Sequence, residues 1–211
     1  MDVGPHHPSP KLDAEKKSLI AAERDDAQRA AFQARLTQRA AGDFVIVDET
    51  GSNLNLTPRY ARAPRGQRAY GTVPRNTPPT TTLIAAMSTA GMGAAMVLDG
   101  ATDTAAFEAY VQQVLAPTLQ PGQVVVLDNL SAHKSPRIRT AIEACGCALW
   151  YLPAYSPDLS PIEEAFAKLK LLLRRAAART KAALLDAIAD ALTLITAIDA
   201  QGFFTHCGYA T

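Results

Sequence analysis

Three acidic side chains stand where the sequence gives them unusual support. Asp48 follows the apolar run of "FVIVDET", Asp128 follows "VVVL" in "PGQVVVLDNLSAHKS", and Glu163 follows three prolines in "YLPAYSPDLSPIEEAF". Short, β-branched apolar runs read as buried strands, so the two aspartates are expected at strand ends. Carboxylates brought together there would repel and raise one another's pKa unless a cation lay between them. Oxygen donors without a supporting His or Cys favour a hard ion, Mg²⁺ or Mn²⁺, over zinc. Taken singly, each aspartate is equally well a residue that ends a strand and caps the next turn. Only the combination points to a site.

Glu163 has two readings. Ser160-Pro161-Ile162-Glu163 fits a capping box, with Ser as N-cap, Pro at the first helical position and Glu at the third. Helical phase, at ~100° per residue, groups Ile162, Phe166, Leu169 and Leu173 as the buried face. Glu163 lies on its flank, whereas Glu164 points away, four residues before Lys168, as a surface ion pair would. Glu163 is therefore the ligand candidate, and capping and coordination can share its two oxygens.

The elements that must position these groups follow in order. Residues 11–39 lack Gly and Pro and read as a helix, with Ile20, Phe32 and Leu36 as a thin apolar stripe better suited to a connector than to a core. "FVIVDET" is the first strand, and five prolines keep residues 57–79 irregular. "TTTLIAAMST" and "GAAMVLDG" read as two strands joined at 90–93, with Asp99 as a turn residue. A helix over 103–115, the strand before Asp128, a helix over 135–144, the strand "ALWYLP" and two Ala- and Leu-rich helices to about residue 198 complete the chain. Close strands pair antiparallel and helix-separated ones parallel, which gives a mixed five-stranded sheet flanked by helices, the ribonuclease-H-like topology.

Length and composition, 211 residues with 48% hydrophobic and 19% charged, describe a globular α/β chain with a sizeable core. No apolar run approaches the ~20 residues of a membrane span, and the N-terminus lacks the apolar middle of a signal peptide. Cys145, Cys147 and Cys207 read as reduced and structural, which fits a cytoplasmic protein. The net charge of +1 hides two acid-free runs. One holds Arg59, Arg62, Arg65, Arg68 and Arg75, and the other holds Lys168, Lys170, Arg174, Arg175, Arg179 and Lys181. Together they point to an anionic partner, while either alone is equally a solvated face.

The blocks "VDETG", "LDNLSAHKS" and "LPAYSPDLSPIEEAFAKLK", in that order, resemble the signature of DDE transposases, in particular bacterial insertion-sequence enzymes allied to the mariner superfamily. Asp128 and Glu163 are separated by 34 residues, the spacing typical of that group, and "ARAPRGQR" resembles its "GRAPRGQR". The resemblance runs from about residue 11 to the C-terminus. It implies a catalytic domain over 42–211, preceded by a tail and connector helix over 1–41. In that domain Asp48, Asp128 and Glu163 would be the catalytic residues and the ligands of two Mg²⁺ ions, which Mn²⁺ can replace. The implied activity is cleavage of DNA at transposon ends and joining of those ends to target DNA. His133 and Lys134 match the family's His-Lys pair, with Lys134 toward a phosphate and His133 either near the metals or in local bonds. Asn129 would orient its neighbouring ligand, and Arg62, Arg65, Arg68, Lys134, Lys168 and Lys170 would contact DNA. Synapsis implies a homodimer or a higher assembly. No helix-turn-helix precedes Asp48, so the expectation includes a separately encoded helix-turn-helix half, a truncated copy or a repurposed DNA-binding remnant. Another ribonuclease-H-like nuclease is the remaining alternative.

Overall fold

The computed structural model describes residues 21–76 and 80–210. Its sheet has the order β3-β2-β1-β4-β5, built from β1 (Phe44–Ser52), β2 (Thr81–Ser88), β3 (Gly91–Asp99), β4 (Val124–Leu127) and β5 (Ala148–Tyr151). β1, β2 and β3 pair antiparallel, whereas β4 runs parallel to both β1 and β5. This is the mixed five-stranded arrangement expected from the order of apolar runs.

Alternation along the central strands feeds two cores. Phe44 and Ile46, Leu83 and Ala85, and Val124 and Val126 face one side, packed under α1 (Asp26–Leu36), α4 (Pro161–Ala176), α5 (Lys181–Thr193) and α6 (Ala197–His206). Val45 and Val47, Ile84 and Ala86, and Val125 and Leu127 face the other, against α2 (Thr104–Tyr110) and α3 (Pro136–Ala144). A sheet covered on both faces needs continuous apolar strands, which is why "FVIV" and "VVVL" do not alternate with polar residues.

Several expectations need correction. The helix expected over 11–39 spans only Asp26–Leu36 among the described residues, and 11–20, with Ile20, lie outside them. Asp25 stops it on the N-terminal side, its carboxylate accepting from the backbone N–H groups of Ala27 and Gln28 at 2.9 Å. This helix is also part of the core: Phe32 and Leu36 are buried, and Phe32 meets Trp150 edge-on at 6.1 Å. The helix over 103–115 changes to a π-helical turn at Val111–Leu115. α6 was not anticipated. Its start is fixed by a reciprocal Thr196–Asp199 capping box, and its low-polarity sequence hides the boundary with α5.

The segment between β5 and α4 is held at three points. Leu152 N–H donates to Leu127 O at 2.8 Å, the Tyr209 hydroxyl donates to Leu159 O at 3.1 Å, and Arg29 of α1 grips Asp158 with two bonds of 2.9 and 2.6 Å. The Arg29 side chain is 8% exposed, so Asp158 is the neutralising partner of a nearly buried cation. Asp158→Ala is expected to destabilise the protein by about 1–3 kcal/mol, read as a lower urea midpoint. Arg29→Leu in that background should recover part of the loss. An unchanged midpoint for Asp158→Ala would show that the clasp carries no stability.

Candidate active site

β1 continues to Ser52 because β2 pairs with it along that whole stretch, from Ile46↔Met87 to Ser52↔Thr81. On its other side the parallel pairing with β4 stops at Ile46↔Val126. Asp48 therefore sits within β1 rather than at its end, as the sequence reading had it, and lies just past the point where β4 leaves. A crevice opens there, outside the carboxyl ends of parallel strands, where such sheets bind ligands. Asp128 directly follows β4, and α4 delivers Glu163 from above.

Side-chain alternation sends Asp48 to the α4 side of the sheet and Glu49 to the α2 and α3 side. Asp48, Asp128 and Glu163 line one cleft of about 440 Å³, together with Glu49, Asn129 and Tyr155. Burial pushes the Asp48 carboxyl up to about 7, opposed by the Glu49 N–H that donates to it at 2.7 Å and reinforced by the Glu163, Asp128 and Glu49 charges. The charges of Glu163 and Asp128 thus both reach Asp48.

Glu163 is free for chemistry because the capping box does not form. Ser160 is the N-cap residue and Pro161 opens the helix, but the Ser160 side chain caps nothing, and Glu163 N–H donates to Ser160 backbone O at 3.1 Å. The Glu163 carboxylate has no hydrogen bond or ion pair among the described residues. The expected Glu164–Lys168 pair is also absent. α6 supplies partners to both, His206 to Glu164 and Asp199 to Lys168 at 2.6 Å. Glu164 is accordingly half-buried rather than solvent-facing.

His133 is fully buried and lies beneath the site. Its Nδ1 bonds Asp128 Oδ1, its Nε2 is 3.1 Å from Glu49 Oε2, and its ring is 4.0 Å from that of Phe107. The Glu49 contact is close enough for an ion pair but not aligned for a hydrogen bond. Burial opposes the charged imidazole, but the Asp128 and Glu49 carboxylates win and hold its pKa up at about 9. Asp128 is pulled below the ordinary carboxylate range: burial works against this, but the His133 bond and the Leu130 N–H at 3.0 Å outweigh it. Glu49 is the residue sequence reasoning missed. Its signal was its place beside Asp48 on a strand, where it must reach the opposite face.

One oxygen each of Asp48 and Asp128, and both of Glu163, have no protein hydrogen bond among the described residues. An all-oxygen donor set with uncommitted lone pairs fits a hard divalent cation. Among the described residues no three His, Cys, Asp or Glu side chains are arranged to share one ion.

The other expected residues disperse. Asn129 lines the cleft, Lys134 is exposed with its charge felt by Asp128, and Lys168 is committed to Asp199. Arg62, Arg65 and Arg68 are exposed on the irregular segment after β1, and Lys170 lines a separate groove. Tyr155, which sequence reasoning passed over, enters the cleft from a left-handed backbone at φ 54°. A non-glycine residue there carries strain of the kind that clusters at working sites.

A five-stranded mixed sheet with carboxylates at the mouth between its central parallel strands is a ribonuclease-H-like core. The fold is that of the Mos1 transposase. A pre-cleavage Mos1 transpososome matches with TM-score 0.71 and 16% identity over 93% of this chain and 64% of that one. A Mos1 mariner paired-end complex with Mg matches at 0.68 and 15%, covering 93% and 65%. The isolated Mos1 catalytic domain matches at 0.59 and 15%, with 84% of each chain covered. The profile of the DDE superfamily endonucleases matches residues 43–185, and the chain belongs to that family. No curated protein matches the sequence. The chain spans 64% of the length of the Mos1 chain in the transpososome.

The raised Asp48 value has a definite sign. Its folded pKa lies above the ordinary 3.8, so between about pH 4 and 7 the folded chain holds a proton that the unfolded chain has lost. Stability from this group is present below that window and lost as pH rises through it. Asp48→Asn keeps the acceptor for Glu49 N–H and removes the charge. In chelator-treated protein it is expected to stabilise the fold at pH 8 by about 1–3 kcal/mol and to change little at pH 4. Thermal melts at the two pH values check this, and an equal shift at both would refute the buried-charge account.

Proposed function

We propose that this chain is the catalytic core of a transposase, which cleaves DNA strands at element ends and joins them to target DNA. We assign residues 42–211 to the catalytic domain, with α1 docked upon it. The observation that carries the reading is the shared cleft of Asp48, Asp128 and Glu163, each with carboxylate oxygen to spare. Solved Mos1 complexes contain transposon ends, Mg or Mn, which agrees with DNA and a divalent ion as partners here.

Asp48, Asp128 and Glu163 would hold two Mg²⁺ ions, for which Mn²⁺ can stand in. Two such ions supply activation of the attacking oxygen and stabilisation of the leaving one. The protein's own task is positioning, since phosphoryl transfer needs alignment and charge neutralisation more than a covalent nucleophile. Asp128 is oriented by the His133 and Leu130 bonds, and Asp48 by Glu49 N–H. Glu163 is placed by the clasped proline segment. Lys134 is exposed and near enough for its charge to lower the Asp128 pKa, where it could meet a phosphate, and Asn129 lines the cleft. Arg62, Arg65, Arg68 and Lys170 extend the cationic surface available to DNA, with Lys168 serving α6 first. Bringing two ends together calls for at least two copies of the catalytic core, and recognition of those ends for a helix-turn-helix. Among the described residues no helix is long and apolar enough to cross a membrane.

The test is nicking and joining of DNA carrying the cognate ends in Mg²⁺ or Mn²⁺. Asp48→Ala, Asp128→Ala and Glu163→Ala should each lower both rates by at least ~10³-fold, on the order of 4 kcal/mol of barrier. Millimolar Mg²⁺ should also raise the thermal midpoint of the wild type and not that of Asp48→Asn. Nicking that persists in Asp48→Ala rejects the catalytic assignment. Nicking without joining of a 3′-hydroxyl end identifies a different nuclease on the same fold.

A further inference from the structure

α4 carries a second constellation on the stripe that holds Glu163. At ~100° per residue, positions 163, 167, 170 and 174 fall within about 60° of one another, so Glu163, Ala167, Lys170 and Arg174 form one line along the helix. Beyond the cleft this line becomes the wall of a groove of about 600 Å³. Leu171 and Arg175 widen that wall, and Arg59 and Tyr60, from the segment after β1, close the other side.

Four cations face the groove, and among the described residues none has a carboxylate partner. Nearby Lys168 and Lys181 are both paired, with Asp199 and Asp99. The groove therefore concentrates positive charge that the protein leaves unmatched. Tyr60 is 92% exposed and Leu171 46% exposed, so apolar surface stands open among the cations. Tyr70, on the same segment, is also open at 89%, but Tyr60 alone of the two stands against the cations of the groove.

Unmatched cations beside an open aromatic plate are the combination that binds single-stranded nucleic acid, phosphates on the charges and a base on the ring. A duplex presents its phosphates but keeps its base faces stacked, which would leave Tyr60 idle. Helical rise sets the scale: at 1.5 Å per residue, Lys170 lies ~10 Å and Arg174 ~16 Å along the axis from Glu163. At 3.4 Å per stacked nucleotide that is about three to five nucleotides. We infer that this groove holds one unpaired DNA strand, three to five nucleotides from the phosphate under attack, with a base against Tyr60. The inference rests on the DNA-cleaving reading above and assigns one strand to one surface.

The test uses the full chain with chelator present, so that binding is read without cleavage. Fluorescence anisotropy compares a labelled dT12 oligonucleotide, the same length as duplex, and inorganic polyphosphate, across a salt series. Single-stranded dT12 should bind more tightly than the duplex. Lys170→Ala with Arg174→Ala should weaken dT12 by ~10-fold or more and flatten its salt slope by ~1.4, about 0.7 per lost phosphate contact. Tyr60→Leu should weaken dT12 by ~5- to 100-fold and leave polyphosphate unchanged, while Tyr60→Phe should bind as the wild type does. Thermal midpoints confirm that these surface variants fold. Tighter duplex binding, a Tyr60→Leu variant that binds dT12 normally, or charge variants with an unchanged salt slope would each overturn the inference. Asp48→Ala separates the two claims. If it cleaves but the groove variants lose dT12, the groove stands and the catalytic assignment falls. If it fails to cleave while the groove variants bind normally, the reverse holds.

Discussion

Repulsion among carboxylates is the constraint around which this molecule is organised. Asp48 is drawn into a crevice where its own burial and the Glu163 and Asp128 charges all oppose its ionisation. A sequence selected for stability alone would put an apolar or neutral residue there. The surrounding structure tolerates the charge through local compensation: the Glu49 N–H donates to Asp48, and buried His133 lies between Asp128 and Glu49. The imidazolium offsets two of the nearby charges, yet it lies on the face of the sheet opposite α4. On the α4 side, where the Glu163 charge reaches Asp48, no cation is paired with either carboxylate among the described residues. Compensation by the protein stops where a bound cation would begin.

Glu163 depends on a different device, since helices do not hold their first turn in place unaided. Pro153, Pro157 and Pro161 restrict the approach, Arg29 clamps Asp158 from a helix 129 residues earlier, and Tyr209 clamps Leu159 from the far end of the chain. Both ends of the described chain thus converge on the segment that aims one carboxylate. Ordinary helix initiation would have spent that carboxylate on a capping box. Here the Ser160 backbone N–H is satisfied by Pro157 O at 3.0 Å instead, through the turn the prolines enforce. The stiffness of the loop thus frees the side chain it positions.

The sequence made the sheet legible because both central strands are buried on both faces, which yields unbroken apolar runs ended by acids. It made the buried face of α4 legible for the same reason: Ile162, Phe166, Leu169 and Leu173 recur at helical period, and all four are buried. What stayed hidden depends on contacts between distant segments. Nothing local to Glu164 or Lys168 announces that His206 and Asp199 will claim them, and nothing local to Arg29 announces Asp158. Glu49 is hidden by its neighbour, because an acid after an apolar run looks like the end of a strand although β1 continues to Ser52. The length of β1 is decided by its antiparallel partner β2, which is a property of pairing and not of the residues of β1 alone.

Part of the charge pattern of α4 is that of any helix. Glu163 and Glu164 in the first turn and Arg174 and Arg175 in the last are what the helix macrodipole favours, at roughly 0.3–1 kcal/mol each. That accounts for both ends and falls off within a turn of each. It does not account for Lys170, in the middle of the helix, or for Arg59 and Tyr60, which belong to another segment and face the same space. Nor does it explain why Lys170 and Arg174 share Glu163's stripe when Lys168, off that stripe, is neutralised by Asp199. Along that line both α4 cations, Lys170 and Arg174, are without a carboxylate partner among the described residues, and Arg175 joins them at the edge of the same groove. On the proposed function, α4 would bring the carboxylate offered to the metal and the cations offered to phosphate onto one rigid element.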